Sequence, residues 1–212
     1  MLISEQERDA LYKTLFARRD VRRNFRPEPI PEEVLQRILM AAHHAPSVGF
    51  MQPWDFVLVE QPETRASIRD GFVEASGMEA EIFEGERQQL YRSLKLEGIT
   101  DSAMGIVVTC DRKRMGEQGL GRVLNPEMSL YSTVCAIQNL WLAARAENVG
   151  VGWVSILDYE VLRRLLGIPD SVDVIAYLCV GYTDGFAASP DLEQRGWQDR
   201  LPLSELIHRE RW

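Results

Sequence analysis

The sequence predicts a single α+β domain with a mixed sheet flanked by helices. Four short apolar runs of strand length alternate with helical patterns, in the order α-α-β-α-α-β-α-β-α-β. No linker of biased composition and no internal repeat divides the 212 residues. Because 45% of the residues are apolar, the chain can build a sizeable core. We therefore predict one domain over residues 1–212.

The first helix is predicted from a capping box. Ser4 and Glu7 have the spacing at which each side chain bonds an amide left unpaired in the first helical turn. The helix that follows runs towards a group of arginines. Its apolar residues, expected to point inward, are Leu11, Leu15 and Phe16.

A second helix is predicted to begin at Pro31 and to end before Pro46. Proline and acidic residues favour a first helical turn, and a later proline stops the helix. An apolar stripe follows the helical period and consists of Val34, Leu35, Ile38, Leu39 and Ala42. A loop at 47–53 then leads into a strand at 54–60.

Residues 62–98 have a polar helical pattern interrupted by glycines, which indicates a mobile helical excursion outside the core. A second strand is predicted at 104–110. Residues 128–148 form the most apolar helix, with apolar positions over more than half of its circumference. We expect burial on nearly every side, either in the centre of the fold or at a dimer interface.

The rest of the chain is predicted as two strands joined by a helix. Gly150 is expected to cap the apolar helix, and the strands cover 151–156 and 172–181. A short helix at 158–166 connects them. The tail after residue 182 contains charged residues and several proline and glycine breaks.

Composition argues against several classes of protein. Acidic residues outnumber basic ones, 32 to 24, so the charge of −8 disfavours nucleic acid as a partner. No apolar run approaches the roughly 18 residues of a membrane span, which predicts a cytoplasmic protein without a membrane partner. Three histidines with no HExxH pattern predict no metal site. Cys110, Cys135 and Cys179 lie in apolar runs and are expected to be buried.

Four arginines within six residues are the densest positive charge in this acidic chain: Arg18, Arg19, Arg22 and Arg23. On a helix they would occupy two adjacent faces. They form either a solvated basic patch or a phosphate clamp, because guanidinium groups match phosphate oxygens bidentately. Asp20 lies among them, and its simplest role is an ion pair with Arg23.

Gly150-Val151-Gly152-Trp153-Val154-Ser155 superficially resembles a dinucleotide-binding fingerprint. The third glycine is missing, and the motif follows a helix and enters a strand, so we exclude Rossmann-type binding. The glycines instead predict a helix cap and a close backbone approach, for example to a flat ligand. The loop at 47–53, with a hydroxyl, a glycine and an amide, is either a contact to a ring edge or an ordinary connection.

Together these segments resemble a known family. Arg18-Arg19-Asp20-Val21-Arg22, followed by Ala45-Pro46-Ser47 and Gln52-Pro53-Trp54, is similar to the FMN-binding start of the nitroreductase superfamily. Residues 150–155 and the terminal Arg200-Leu201-Pro202-Leu203 are similar to later blocks of that superfamily. The resemblance covers about residues 8–208, nearly the whole chain.

Three differences from the usual motif indicate a branch of that superfamily. Asp20 replaces the usual serine, and the loop at 47–53 lacks the usual asparagine before Gln52. Residues 86–98 and the Gly-Trp-Val-Ser segment ending at Ser155 are also similar to the branch that makes 5,6-dimethylbenzimidazole.

The resemblance implies a nitroreductase-like homodimer with FMN at the subunit interface. It implies that reduced FMN is the substrate, fragmented with dioxygen as co-substrate into 5,6-dimethylbenzimidazole and erythrose 4-phosphate, without a metal. The product would serve as the lower ligand of vitamin B12, and a separate NAD(P)H-dependent flavin reductase would supply the reduced FMN. The implied flavin-binding residues are Arg18, Arg19, Asp20, Val21, Arg22, Ser47, Gly49, Gln52, Gly152, Trp153, Ser155 and Arg200.

Asp20 and Ser155 are the catalytic residues that the resemblance implies. Asp20 would act as a general base or orienting carboxylate near the first ribityl carbon, and Ser155 would place a hydroxyl beside the ring. Residues 77–98 are either a lid that excludes water or a surface extension. Two alternatives stay open: an NAD(P)H-dependent FMN nitroreductase or flavin reductase, and a flavin-binding module without turnover.

Overall fold

The computed structural model describes residues 2–116 and 119–212, so three residues of the predicted domain, 1, 117 and 118, lie outside the described part. The described strands are β1 (Trp54–Val59), β2 (Met104–Cys110), β3 (Val149–Val154) and β4 (Asp173–Tyr182). The described α-helices are α1 (Glu5–Ala17), α2 (Glu32–His43), α3 (Pro62–Ala80), α4 (Gly85–Ser93), α5 (Met128–Ala146), α6 (Tyr159–Leu166) and α7 (Asp191–Gln194). None of these helices has both the length and the apolar character needed to cross a membrane.

The predicted α+β class and the order of elements up to β4 are confirmed. The strands pair in the order β1-β2-β4-β3, and each described pair is antiparallel. The four-stranded sheet is thus antiparallel, whereas a mixed sheet was expected; the parallel pairing between Asp20 and Val151 is an isolated bridge. The bridge lies on β3, an edge strand, and it attaches residues 18–23, which we call the arginine segment, to the sheet.

The core lies on both faces of the sheet, and β2 is buried along its whole length. Ile106 and Val108 point towards α2 and α5, where they pack with Leu140. Val107 points to the opposite face and packs with α3 and α6. This alternation follows from the two-residue period of a strand. The two helical layers therefore hold the sheet and the segment attached to its edge in place.

Helix α2 agrees with its prediction, and α1 agrees in part. The apolar stripe of α2 faces the core, with Ile38 fully buried. The capping box of α1 is present, since Glu7 donates its amide to Ser4 and accepts from Ser4 in return. The predicted inward orientation of α1 is wrong, because Leu11 is 54% exposed and Phe16 75% exposed. The helix packs beside α5 and not over the sheet, so its apolar side meets no core.

Helix α5 is buried on one side only in the single chain, which corrects the prediction of burial on nearly every side. Ala136, Leu140 and Ala144 are fully buried against the sheet and α2. Tyr131 is 58% and Val134 42% exposed on the other side. Helix α5 therefore has more apolar residues than the core of one chain buries. Burial of its exposed side in a dimer interface stays a prediction.

The cysteine prediction holds for two of the three residues. Cys110 and Cys179 are buried, and burial raises the pKa of both thiols, that of Cys179 to about 12. Cys135 is exposed, contrary to prediction, because it lies on the uncovered side of α5. Neither buried thiol is available as a thiolate near neutral pH.

Two predicted boundaries are wrong. Gly150 does not cap α5, which ends at Ala146; Asn148 has a positive φ of 57° and turns the chain directly into β3. Glycine does not interrupt α3 either, since this helix runs continuously from residue 62 to 80. Parts of the predicted excursion are also buried, with Tyr91 only 5% exposed.

Candidate functional site

The arginine segment is extended and not helical, which corrects the expected arrangement on two helical faces. Helix α1 ends at Ala17, and Arg18 already has extended angles, with φ −65° and ψ 135°. The amide of Val21 donates to the carbonyl oxygen of Val151 at 3.0 Å. The open edge of β3 thus gives the backbone of the arginine segment a hydrogen-bond partner. If α1 continued through this segment, its backbone could not pair with the strand.

Both carboxylate oxygens of Asp20 are held by hydrogen bonds. One oxygen accepts from the Trp153 amide at 3.0 Å. The other accepts from Nε of Arg22 at 2.6 Å, and Nη2 of the same guanidinium lies 2.5 Å away. The predicted ion pair with Arg23 is wrong, because the guanidinium of Arg23 lies 3.6 Å from Asp191. Asp20 is therefore a charged group in a fixed orientation, and it lies beside the edge strand.

Gly152 allows this arrangement by its lack of a side chain. A Cβ at Gly152 would fall on the carbonyl oxygen of Val21 and would come within 3.5 Å of Asp20 Oδ1. The predicted close backbone approach is therefore present, and its partner is Val21 of the same chain. At Gly150 the nearest atom would be a Val21 side-chain carbon at 3.1 Å.

Replacing Gly152 by alanine is expected to lower the free energy of unfolding by about 1–3 kcal/mol. The added Cβ would collide with the backbone of Val21, which cannot shift without disturbing its pairing with β3. Gly71→Ala is the matched control. No atom lies within 4 Å of a Cβ at Gly71, in the middle of α3, so that change is expected to stabilise by about 0.5–1 kcal/mol. Urea denaturation measures both, and equal effects of the two substitutions would contradict the packing argument.

A cavity of about 240 Å³ joins the arginine segment to the C-terminal tail. Its lining residues are Arg18, Arg19, Asp20, Arg22, Pro190, Asp191, Leu192 and Arg200. We call it the arginine cavity. A neighbouring cavity of about 460 Å³ shares Arg19, Asp20, Arg22 and Asp191 with it. The structure thus assembles four residues of the predicted motif with Arg200, from the far end of the sequence.

The arginine cavity carries positive charge that the chain does not fully balance. The guanidinium of Arg18 lies 4.8 Å from the ring centroid of Trp141. Burial lowers the pKa of Arg18, and the neighbouring Arg19 and Arg200 lower it further. Nη1 of Arg22 is buried and has no hydrogen-bond partner among the described residues. An anion with several acceptor oxygens would satisfy both features.

Arg19 differs from its neighbours because its donors are already used. Its guanidinium donates to the carbonyl oxygens of Phe16 at 2.8 Å, of Ala187 at 3.0 Å and of Ala188. These bonds connect the end of α1 to the tail. Arg19 therefore shapes the wall of the arginine cavity more than it offers donors to a ligand.

A second group of predicted residues lies in the loop at 47–53. Ser47 Oγ accepts from the amide of Gln52 at 3.1 Å, and Val48 donates its amide to Ser132 Oγ at 3.0 Å. Gly49 and Gln52 have positive φ angles of 55° and 48°. Gln52 lines a separate cavity of about 740 Å³. The loop thus has a defined shape, anchored on the first part of α5.

The two groups lie at different places along α5. Ser132 anchors the loop, while Trp141 contacts the arginine segment and donates its Nε1 to the carbonyl oxygen of Arg19 at 3.2 Å. These helix positions are nine residues apart, a separation of about 13 Å along the axis. Ser47, Gly49 and Gln52 line neither the arginine cavity nor its neighbour.

Ser155 and two residues that sequence reasoning missed complete the description of the site. Ser155 is exposed directly after β3, two residues beyond the Trp153 amide that holds Asp20. Sequence reasoning missed Trp141, since an aromatic residue on an apolar helix is indistinguishable from core. Asp191 was also missed, because nothing in the tail's pattern marks the acidic residue that faces Arg23. Within residues 2–116 and 119–212, no cluster of three histidine, cysteine or acidic residues could hold a metal.

Comparison with known proteins decides the family. Residues 15–182 match the Nitroreductase family, well over half of the chain. The chain belongs to the nitroreductase family. Among its curated relatives, a 5,6-dimethylbenzimidazole synthase of Rhodospirillum rubrum is 43% identical over 92% of both chains. One of Rhodobacter capsulatus is 41% identical over 95% of this chain and 97% of the relative.

Solved structures confirm the nitroreductase fold. An iodotyrosine deiodinase bound to FMN and 3-iodo-L-tyrosine aligns with a TM-score of 0.73, at 22% identity, over 95% of this chain and 99% of that one. An NADPH:FMN oxidoreductase from Vibrio harveyi complexed with NAD+ aligns with a TM-score of 0.69, at 21% identity, over 96% and 78% of the two chains. At these identities the likeness concerns the fold.

Proposed function

We propose that this member of the nitroreductase family is a 5,6-dimethylbenzimidazole synthase. It fragments reduced FMN with dioxygen into 5,6-dimethylbenzimidazole, erythrose 4-phosphate and a remainder that carries the pyrimidine part of the flavin ring. The first product serves as the lower ligand of vitamin B12. The relatives of that name are 37–43% identical over 92–95% of the chain. One structural observation carries the proposal: a carboxylate, Asp20, held in fixed orientation at the wall of an arginine-lined cavity.

The arginine cavity suits the phosphate of FMN. Arg18 and Arg200 supply positive charge, and the unpartnered Nη1 of Arg22 supplies a donor. Arg19 holds the tail in position through its bonds to the carbonyl oxygens of Ala187 and Ala188. When bound, reduced FMN supplies the electrons for the reduction of dioxygen. A separate NAD(P)H-dependent flavin reductase in the cytoplasm provides the reduced FMN.

Asp20 holds or accepts a proton at the first ribityl carbon. The oxygen that accepts from the Trp153 amide keeps a second lone pair for the substrate, while the other oxygen faces both Nε and Nη2 of Arg22. The Trp153 amide and the guanidinium of Arg22 keep the carboxylate oriented. Ser155, two residues further along the same edge, places its hydroxyl beside the ring. Residues 77–98 form a lid that excludes water while the bond is cut.

A second copy of this chain completes the site. The loop residues Ser47, Gly49 and Gln52 lie apart from the arginine cavity in one chain. Helix α5 exposes Tyr131 and Val134 next to Ser132, the residue that anchors the loop. Burying that apolar side in a symmetric interface removes it from water and brings the loop of one subunit to the arginine cavity of the other. FMN then binds at the subunit interface of a homodimer.

Complementation between two variants that bind FMN weakly tests the shared site. Arg18→Met removes a residue of the arginine cavity, and Gln52→Ala removes a residue of the loop. In a mixed dimer, one site carries both changes and the other carries neither, so random mixing should restore about a quarter of the normal number of sites. FMN binding by the mixture measures this number. Failure of the mixture to exceed the separate variants would place both groups in one subunit's site.

The reaction itself is tested by mixing the protein with chemically reduced FMN in air and separating the products by chromatography. We expect 5,6-dimethylbenzimidazole in amounts that depend on both the protein and dioxygen. Anaerobic incubation and protein-free incubation are the controls. Formation of oxidised FMN and peroxide alone, with NAD(P)H consumed in a parallel assay, would indicate a flavin reductase. Binding of FMN without either reaction would indicate a module without turnover.

A further inference from the structure

The C-terminal tail contacts the predicted lid through an aromatic cluster, which consists of Phe83, Tyr91 and Trp197. The ring centroids of Phe83 and Trp197 are 5.4 Å apart in an edge-on arrangement, and those of Phe83 and Tyr91 are 5.1 Å apart. Tyr91 and Trp197 are 6.2 Å apart. Phe83 and Tyr91 lie within residues 77–98, whereas Trp197 is 100 or more positions later in the sequence. The cluster therefore joins the lid to the tail.

Arg87 strengthens the same contact from the exposed side of α4. Its Cζ lies 3.5 Å from the ring centroid of Trp197, and its Nη1 donates to the Trp197 carbonyl oxygen at 2.9 Å. One guanidinium thus bonds both the ring and the backbone of a single tail residue. Helix α4 and the tail are therefore in direct contact at Trp197.

The tail that holds Trp197 also forms one wall of the arginine cavity. The amide of Trp197 donates to the carbonyl oxygen of Leu192 at 2.9 Å. Leu192, Asp191 and Arg200 all line the cavity. Residues 190–200 therefore contact the phosphate site on one side and the lid on the other.

We propose that residues 190–200 couple the arginine cavity to the lid, with Arg87 and Trp197 as positioning residues that make closure depend on the flavin's phosphate. The inference rests on the proposed function and deepens it. A flavin that has a phosphate is selected twice, first when it binds and again when the lid closes. Arg18 and Arg200 line the same cavity, so a bound phosphate attracts both guanidinium groups. The tail then orders, and Trp197 offers α4 a fixed surface.

Hydrogen exchange of the full-length protein tests the coupling at the amides of residues 81–93. The protein is compared alone, with oxidised FMN, with riboflavin and with inorganic phosphate. FMN and phosphate should slow exchange in this segment by at least about threefold, because ordering the tail lowers the population of locally open states. Riboflavin, which has the ring without the phosphate, should leave the segment nearly unprotected at saturation.

Arg87→Ala separates this role from a merely structural one. The side chain is exposed, so the fold should be retained. We expect the dissociation constant for FMN to change by less than about twofold, while the protection of residues 81–93 is lost. Arg92→Ala is the matched control, since Arg92 is on the same helix and pairs with Glu81 at 2.6 Å. Trp197→Phe should restore most of the protection that Trp197→Ala removes.

The outcomes distinguish the coupling from the proposed function. Protection by riboflavin equal to that by FMN, or full protection in Arg87→Ala, would overturn the coupling. Absence of FMN binding to the unaltered protein would overturn the proposed function. In that case, hydrogen exchange of residues 81–93 with inorganic phosphate would decide whether the arginine cavity and the lid are coupled.

Discussion

Asp20→Asn is expected to keep FMN bound and to lower the rate of 5,6-dimethylbenzimidazole formation by about 10²–10⁴. Asparagine has the same shape and keeps an oxygen that can accept from the Trp153 amide. It loses the negative charge that faces Arg22 and can no longer take up a proton at the first ribityl carbon. Product chromatography under single turnover, together with titration of FMN, separates the loss of chemistry from a loss of binding.

Asp191→Asn is the matched control, because Asp191 lines the same arginine cavity and lies near Arg23 instead of the edge strand. We expect it to change the rate by less than about tenfold. Ser155→Ala, measured in the same assay, should lower product formation with unchanged FMN affinity if the hydroxyl acts at the ring. Normal product formation by Asp20→Asn would reduce Asp20 to the ion-pair partner of Arg22.

Arg18→Met should weaken FMN binding by about ten- to a hundredfold, the loss expected when one charge-assisted contact of roughly 1.5–3 kcal/mol is removed. Methionine keeps an apolar stem against Trp141 while it removes the guanidinium. The affinity for riboflavin should stay nearly constant, because riboflavin has no phosphate. Fluorescence titration measures the effect of Arg18→Met on the dissociation constants for FMN and for riboflavin. Added salt should reduce the difference between these two effects, because it screens charge.

Arg37→Met controls for the change in net charge. Arg37 is exposed on α2 and forms an ion pair with Glu147 at 2.7 Å, away from the arginine cavity. It should leave the affinity for both flavins unchanged. An equal loss for FMN and riboflavin in Arg18→Met would show that Arg18 contacts the ring or supports the fold, and the phosphate assignment would then be wrong.

Secondary structure was predictable where local chemistry decides it. The capping box at Ser4, the proline start of α2 and its apolar stripe are all present. Asp158 caps α6 by accepting from the Glu160 amide at 2.8 Å. The start of β3 was misplaced by two residues, since the positive φ of Asn148 replaces a glycine cap. Such signals depend on neighbours within a few residues, which a sequence displays directly.

Burial was less predictable, because it depends on what lies opposite an apolar face. The apolar residues of α1 and the outer side of α5 have the composition of core and yet are exposed in one chain. A hydrophobic pattern shows that burial would stabilise a helix face, but it does not show whether the same chain buries that face. Cys135 was misassigned for the same reason.

The sequence by itself determined the α+β class, the order of the elements, the family and the residue types that suit a phosphate and a flavin. Only the tertiary structure decided how those residues meet. It placed Arg200 beside Arg18, paired Asp20 with Arg22 instead of Arg23, and joined Trp197 to the lid. The physical reason is that helix and strand signals act over a few residues, whereas a site depends on long-range packing and on which backbone edge is free to pair.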